Sequence, residues 1–125
     1  MAIILDHTIV PSNDKVGGAA FLGDLFALEP ESKGHFEALR INDHLTFDYE
    51  TVSRVDSQHY AFLVSDDDFD AIFGRIVAQG VQYGSGPINS ADGELNHRRG
   101  GRGLYFSGGP DPHLYEIMTV AETGT

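Results

Sequence analysis

The alternation of apolar and polar residues divides the chain into two similar halves. In the first half, a strand-like run at residues 3–10 is followed by a helix-like stretch at about 13–28 and by strand-like runs at 35–41 and 45–49. Three glycines weaken the helix signal, because glycine is a poor helix former. The pattern therefore predicts the order strand, helix, strands for the first half.

The second half repeats this order and contains the strongest helix signal. An acidic start at residues 65–68 suits a helix N-terminus. The apolar residues that follow recur with the spacing of an amphipathic helix: Phe69, Ile72, Phe73, Ile76 and Val77. Gly80 stands where a C-terminal capping glycine belongs. Strands are predicted at 58–64, 81–83, 103–107 and 114–120, and they leave 84–101 as a loop of the length often found in functional lids.

The repeated order indicates an internal duplication. His7 opens the first unit and His59 opens the second, 52 residues further along the chain. We therefore predict a single domain over residues 1–125, with one unit at about 1–55 and the other at about 56–125.

Composition narrows the class of protein. The 125 residues include 19 acidic and 8 basic side chains, a net charge of −11, which argues against nucleic acid and against anionic membranes as partners. There is no cysteine, so disulfides, thiolate metal sites and a cysteine nucleophile are excluded. No apolar run approaches the roughly 20 residues that span a bilayer. We expect a soluble cytoplasmic protein.

Strand alternation places three metal-competent side chains on largely apolar strand faces. His7 shares a face with Ile9, His59 shares one with Ala61, and Glu116 lies on the last predicted strand. A buried carboxylate is costly unless it is paired or bound to a metal. Two imidazoles and one carboxylate suit a transition metal that needs no thiolate. Periodicity alone does not join the three residues into one site.

Three segments together resemble the vicinal oxygen chelate superfamily, which includes glyoxalases, bleomycin-resistance proteins and extradiol dioxygenases. They are residues 5–10 (LDHTIV), 58–66 (QHYAFLVSD) and 100–106 (GGRGLYF), the last followed by 111–117 (DPHLYEI). This ending is similar to the family pattern G-R-x-x-Y-F-x-D-P-x-G-H-x-x-E-I. One residue is inserted after Phe106, and a proline replaces the usual glycine, so the turn before the last strand is expected to differ.

The resemblance implies an α+β fold of two βαβββ units that form a cupped mixed sheet with helices on the outside. It also implies a divalent metal (Fe, Mn, Zn or Ni) held by His7, His59 and Glu116, in an enzyme of the glyoxalase or dioxygenase type. The reaction stays open among lyase or isomerase chemistry, thiol transfer and ring-cleaving oxidation. The alternative is a metal-free drug- or metabolite-binding protein. A small-molecule substrate and a homodimer are expected, and sites shared between the two chains are one arrangement that such a dimer allows.

Further candidates for the site are less specific. A fourth metal ligand would come from the first unit. One alignment with the last strand places Phe47, which cannot ligate a metal, at the position of Glu116, and another offers His44, with an exposed turn histidine as the alternative. Arg102 is a candidate for substrate binding, with a structural ion pair as the alternative, and Tyr105 would line the pocket or pack in the core. The basic segment 97–99 is interpreted as a solvated loop or as a contact for an anionic substrate.

Overall fold

The structure, a computed structural model, describes residues 2–123. It contains two compact units. The first unit runs to Asp56 and also includes Gly109–Asp111, and the second comprises Ser57–Gly108 and the residues from Pro112 onward.

The first unit is a four-stranded mixed sheet with one helix. Its elements are β1 (His7–Ser12), α1 (Lys15–Phe26), β2 (Glu31–Lys33), β3 (Phe36–Arg40) and β4 (Thr46–Thr51). The strand order is β1-β4-β3-β2, with β1 parallel to β4 and the other pairs antiparallel. The sequence pattern did not predict the short strand β2, because all three of its residues are exposed and carry no apolar signal.

Helix α1 packs on β3, β4 and β1 and forms the core of this unit. The buried side chains come from the helix and from one face of the sheet, and they include Leu22, Leu25, Leu39 and Tyr49, all fully buried. Gly23 is needed at the end of the helix, because a Cβ there would lie 2.6 Å from the Leu28 carbonyl oxygen.

The second unit repeats the architecture. Its elements are β5 (His59–Leu63), α2 (Asp66–Ala78), β6 (Tyr83–Gly84), β7 (Gly103–Gly108) and β8 (Asp111–Met118). The order is β5-β8-β7-β6, with β5 parallel to β8 and β6 antiparallel to β7. The predicted α+β fold of two βαβββ units is thus confirmed, and each unit has its own open four-stranded mixed sheet.

Helix α2 follows its sequence signals closely. The Ser65 hydroxyl accepts a hydrogen bond from the backbone N–H of Asp68 (3.1 Å), which caps the helix N-terminus. Gly80, two residues beyond the helix, has a φ of +66°, the left-handed conformation expected of a capping glycine. Phe69 and Ile76 are fully buried, whereas Val77 is 56% exposed and lies outside the buried stripe.

Two strands, β1 and β8, begin three or more residues away from their predicted starts. Strand β1 starts at His7, where its pairing with Thr46 of β4 begins. The preceding apolar residues 3–5 are exposed. Strand β8 starts at Asp111, whose carboxylate accepts hydrogen bonds from the Ser12 hydroxyl (2.7 Å) and from the Asn13 N–H (2.7 Å). These bonds anchor the residue that follows the turn between β7 and β8.

In the described part of the chain, no helix combines the length and the apolar character needed to cross a membrane.

Candidate functional site

His59 and Glu116 form a close pair on one face of the second sheet. The parallel register sets His59 opposite Leu114 and Ala61 opposite Glu116. Both polar side chains therefore project from the same face, as strand alternation predicts. The Nε2 atom of His59 lies 3.0 Å from Oε1 of Glu116. The imidazole is about half exposed, whereas the Glu116 residue is only 8% exposed.

This pair lines a pocket of the second unit with a volume of about 320 Å³. Ala61 and Met118 form the apolar part of the pocket lining. Ala61 lies on the same face of β5 as His59, and Met118 lies on the same face of β8 as Glu116. The loop before β7 contributes Arg98 and Arg99, and β7 contributes Tyr105. The volume is at the lower end of the range for small-molecule sites.

Tyr105 connects the pair to Arg98. Its ring stacks on the His59 imidazole, with the ring centroids 5.6 Å apart and an interplanar angle of 21°. The Arg98 guanidinium donates a hydrogen bond from Nη1 to the Tyr105 hydroxyl (2.5 Å) and lies 5.3 Å from the ring centroid. The same Nη1 is 3.9 Å from Oε2 of Glu116. The Glu116 carboxylate thus has a cation near one oxygen and an imidazole at the other.

His7, the third predicted ligand, lies in the first unit as the first residue of β1. Its side chain is 61% exposed, and its Nδ1 is 2.9 Å from the Asp6 carboxylate. This hydrogen bond lowers the pKa of Asp6. Among residues 2–123, no group of three or more His, Asp or Glu side chains is arranged to hold a metal ion. Of the predicted ligand set, the structure brings together His59 and Glu116.

The first unit contains a counterpart of Glu116 that both sequence alignments missed. In the first sheet His7 pairs with Thr46 and Ile9 with Asp48, which repeats the register of His59 with Leu114 and of Ala61 with Glu116. The residue equivalent to Glu116 is therefore Asp48, one position beyond Phe47. Its Oδ1 atom is buried and has no hydrogen-bond partner among the described residues.

His44 and Arg102 lie elsewhere. His44 is exposed in the turn before β4, where its backbone N–H donates to the Asn42 side chain (2.8 Å). The Arg102 guanidinium bonds to Asp70 (2.7 Å) and Asp66 (3.0 Å) and lies 4.5 Å from the Phe69 ring centroid. The bonds to Asp70 and Asp66 raise the pKa of Arg102. The Arg102 side chain thus forms ion pairs at the start of α2, as the structural alternative expects, and its role in substrate binding stays a prediction.

The loop that follows β6 is internally bonded. The Asp92 carboxylate accepts hydrogen bonds from the N–H (2.9 Å) and hydroxyl (2.6 Å) of Ser85. The bond from the Ser85 hydroxyl is the main cause of a lowered pKa of Asp92. Asn96 pairs with Gly103 through two backbone hydrogen bonds of 2.9 and 3.0 Å. The loop that presents Arg98 and Arg99 is therefore internally hydrogen-bonded, and residues 97–99 are exposed. Both interpretations of this segment, a solvated loop and a contact for an anionic substrate, stay predictions.

Solved structures resemble the chain over its full length. One named Oxidase ChaP-H2 is 43% identical, with all of both chains covered and a TM-score of 0.91. Oxidase ChaP-H1 is 41% identical over 96% of this chain and 98% of that one, with a TM-score of 0.89. The fosfomycin resistance protein FosX from Mesorhizobium loti is 21% identical over 98% and 97%, with a TM-score of 0.69, and shows the fold alone.

No protein-family model matches the chain, and no curated protein does. The fold, two βαβββ units with a polar pocket on the second sheet, defines the class of protein. The chain belongs to the vicinal oxygen chelate superfamily.

Proposed function

We propose that the protein is a metal-dependent oxidase of a small organic molecule, with His7, His59 and Glu116 as metal ligands. The observation that carries this proposal is the 3.0 Å contact between His59 and Glu116 inside a pocket of ligand size. The 43% identity to a structure named as an oxidase favours oxidation over isomerisation or thiol transfer.

The donor atoms fit a divalent metal. Glu116 is nearly buried, and a carboxylate in that position is costly unless cations or hydrogen bonds compensate for its lost hydration. Its partners are one imidazole at 3.0 Å and one distant guanidinium at 3.9 Å. Two histidines with one carboxylate form the donor set typical of non-haem Fe(II) oxygenases, and the set is also acceptable to Mn, Zn or Ni. His7 would come from the same chain or from a partner chain.

A bound ion of this kind supplies Lewis-acid activation of substrate oxygens and, if it is redox-active, access to dioxygen. The chain's own residues would position the substrate. Ala61 and Met118 offer an apolar surface, and Tyr105 holds the His59 ring by stacking. The Tyr105 hydroxyl accepts a hydrogen bond from Arg98 and keeps its own proton for donation to a substrate oxygen.

Metal analysis and oxygen consumption test this proposal. Purified protein, reconstituted anaerobically with Fe(II), is expected to bind about one ion per chain and to consume oxygen with a panel of catechols and hydroxynaphthoquinones. His59→Ala should lose both metal and turnover. The matched control is His44→Ala, which removes an exposed turn histidine and should keep both.

A protein that binds aromatic compounds but no metal under any loading condition would contradict the proposal. That result would identify the alternative, a metal-free binding protein. Metal bound at full occupancy without oxygen consumption on any substrate of the panel would leave the metal site standing and exclude the oxidase assignment.

We further propose a homodimer. In the first unit, Leu5 (64% exposed) and Ile9 (50% exposed) leave apolar surface uncovered, and in the second unit Leu63 (58% exposed) does the same. A second copy would cover such surface and gain hydrophobic stabilisation. Light scattering at several concentrations should give a mass of about twice that of the chain.

A further inference from the structure

We propose that Arg98 and Arg99 form a subsite for an anionic oxygen, so that the substrate is a small organic acid carrying a carboxylate or a phenolate. The inference rests on the proposed function and names the substrate class that the same pocket takes. Both arginines line the pocket next to His59 and Glu116.

The guanidinium groups of Arg98 and Arg99 have N–H donors that make no hydrogen bond to the described residues. A guanidinium carries five N–H donors, yet among the described residues the Arg98 side chain makes one hydrogen bond, to Tyr105. Its ion pair with Glu116 is long, at 3.9 Å. In the same part of the chain, Arg99 makes no side-chain hydrogen bond or ion pair. By contrast, Arg102 holds two aspartates at 2.7 and 3.0 Å.

The charge balance of the chain makes this arrangement informative. Acidic residues outnumber basic ones by 19 to 8, so carboxylate partners for an arginine are plentiful. The pocket lining contains Glu116 and Glu122 beside the two arginines, yet the only ion pair among the described residues that either arginine makes is the long one of Arg98. Guanidinium donors that lack a close carboxylate attract an anionic ligand.

The loop holds the arginines in place at a conformational cost. The Asn96 side chain accepts a hydrogen bond from the Arg98 N–H (3.3 Å) and donates one to the Ser85 carbonyl (3.0 Å). Arg99 has φ of +56° and ψ of +24°, a left-handed conformation in which glycine would be favoured. An arginine at such a position, beside Gly100 and Gly101, points to a use for its side chain.

The geometry also indicates the shape of the anion. A guanidinium is planar and binds a planar carboxylate through two parallel N–H···O bonds. Arg98 lies over the Tyr105 ring, which limits its freedom to turn away from the pocket. Ala61 and Met118 line the same cavity and would contact the carbon skeleton of the ligand. An organic acid with an apolar carbon skeleton would bind the guanidinium groups through its anionic group and would contact the apolar residues through its skeleton.

Binding of matched probes tests the subsite. The full-length protein is titrated by calorimetry at low salt with salicylate and with salicylamide, which differ in the charge of one group. A second pair, 4-nitrophenolate and 4-nitroanisole at the same pH, separates a phenolate preference from a carboxylate preference. We expect at least one anion to bind about tenfold more tightly than its neutral partner, a difference equivalent to about 1.4 kcal/mol.

The preference should fall below about twofold, equivalent to about 0.4 kcal/mol, in the double variant Arg98→Gln/Arg99→Gln. It should survive in Arg54→Gln, whose guanidinium pairs with Asp56 in the first unit. The single variant Arg99→Gln removes no side-chain hydrogen bond or ion pair of the described residues, so it serves as the test if the double variant does not fold. Added salt should weaken anion binding to the wild type and to Arg54→Gln, and should change it little in the double variant.

Running every titration in excess chelator separates this inference from the proposed oxidase. An anion preference that depends on the arginines, in a protein that never binds metal, would support the subsite and defeat the oxidase. Equal binding of each charged probe and its neutral partner, or an undiminished preference in the double variant, would overturn the subsite whatever the metal content.

Discussion

Glu116 and Ile117 are consecutive residues of β8 that project from opposite faces of the sheet, and they offer a sharp test of site against scaffold. Glu116 lines the pocket beside His59. Ile117 is fully buried and pairs in register with Phe62 of β5. Substitution of one should remove the site and spare the fold, and substitution of the other should do the reverse.

The two magnitudes follow from burial. Ile117→Ala deletes three buried carbon atoms and leaves a cavity, a change that typically costs about 2–5 kcal/mol. That is a large part of the roughly 5–15 kcal/mol that stabilises a typical domain. Ile117→Val deletes one carbon and should cost about 0.5–1.5 kcal/mol. Glu116→Gln keeps the shape, and the lost ion pair with a half-exposed His59 should cost about 0–1 kcal/mol.

Urea unfolding in chelator reports the fold, and metal titration of the folded protein reports the site. If Ile117→Ala does not fold, the milder variant Ile117→Val still measures the contribution of this side chain to stability. We expect both Ile117 variants to keep wild-type metal affinity in proportion to folded protein, and Glu116→Gln to lose most bound metal with an unchanged urea midpoint. The face assignment is refuted if Ile117→Val abolishes metal binding at normal stability, or if Glu116→Gln unfolds the protein while its folded fraction still binds metal.

Three further predictions follow from the same geometry. If sites are shared in a dimer, mixing His7→Ala chains with Glu116→Ala chains should restore one metal per heterodimer, and no recovery after subunit exchange would exclude sharing. Asp48→Asn should lower metal affinity at least about tenfold if its buried oxygen is a fourth ligand, whereas unchanged affinity with lost turnover would indicate a proton acceptor. Burial raises the pKa of Tyr60, so the urea midpoint should fall as the pH rises above about 10, less steeply in Tyr60→Phe; equal slopes would contradict this.

The second helix and the strand faces were accessible from sequence because they depend on local chemistry. In α2, Ser65 supplies the cap, Phe69 and Ile76 supply the buried stripe, and Gly80 adopts the left-handed turn. The placement of His59 on the same face as Ala61 needed only the period of two that every strand obeys. Local rules of this kind apply whichever partner strand the chain eventually finds.

Features that depend on pairing register were not accessible. Asp48 was missed because the two units were aligned one residue out of step, and a one-residue shift moves every side chain to the other face. The contact of Arg98 with Tyr105 was not predicted, because the position of Arg98 depends on how Asn96 bonds to Gly103 and Ser85. Hydrogen bonds of this kind, in a loop rich in Gly and Asn, leave no periodic pattern of apolar residues from which they could be predicted.

The Gly109–Asp111 turn means that the two repeats are not separable modules. These three residues follow most of the second unit in the chain but pack with the first. Ser12 is fully buried, and its hydroxyl donates to Asp111. A fragment ending at Asp56 would therefore bury a hydroxyl without its acceptor, at a cost of about 1–3 kcal/mol.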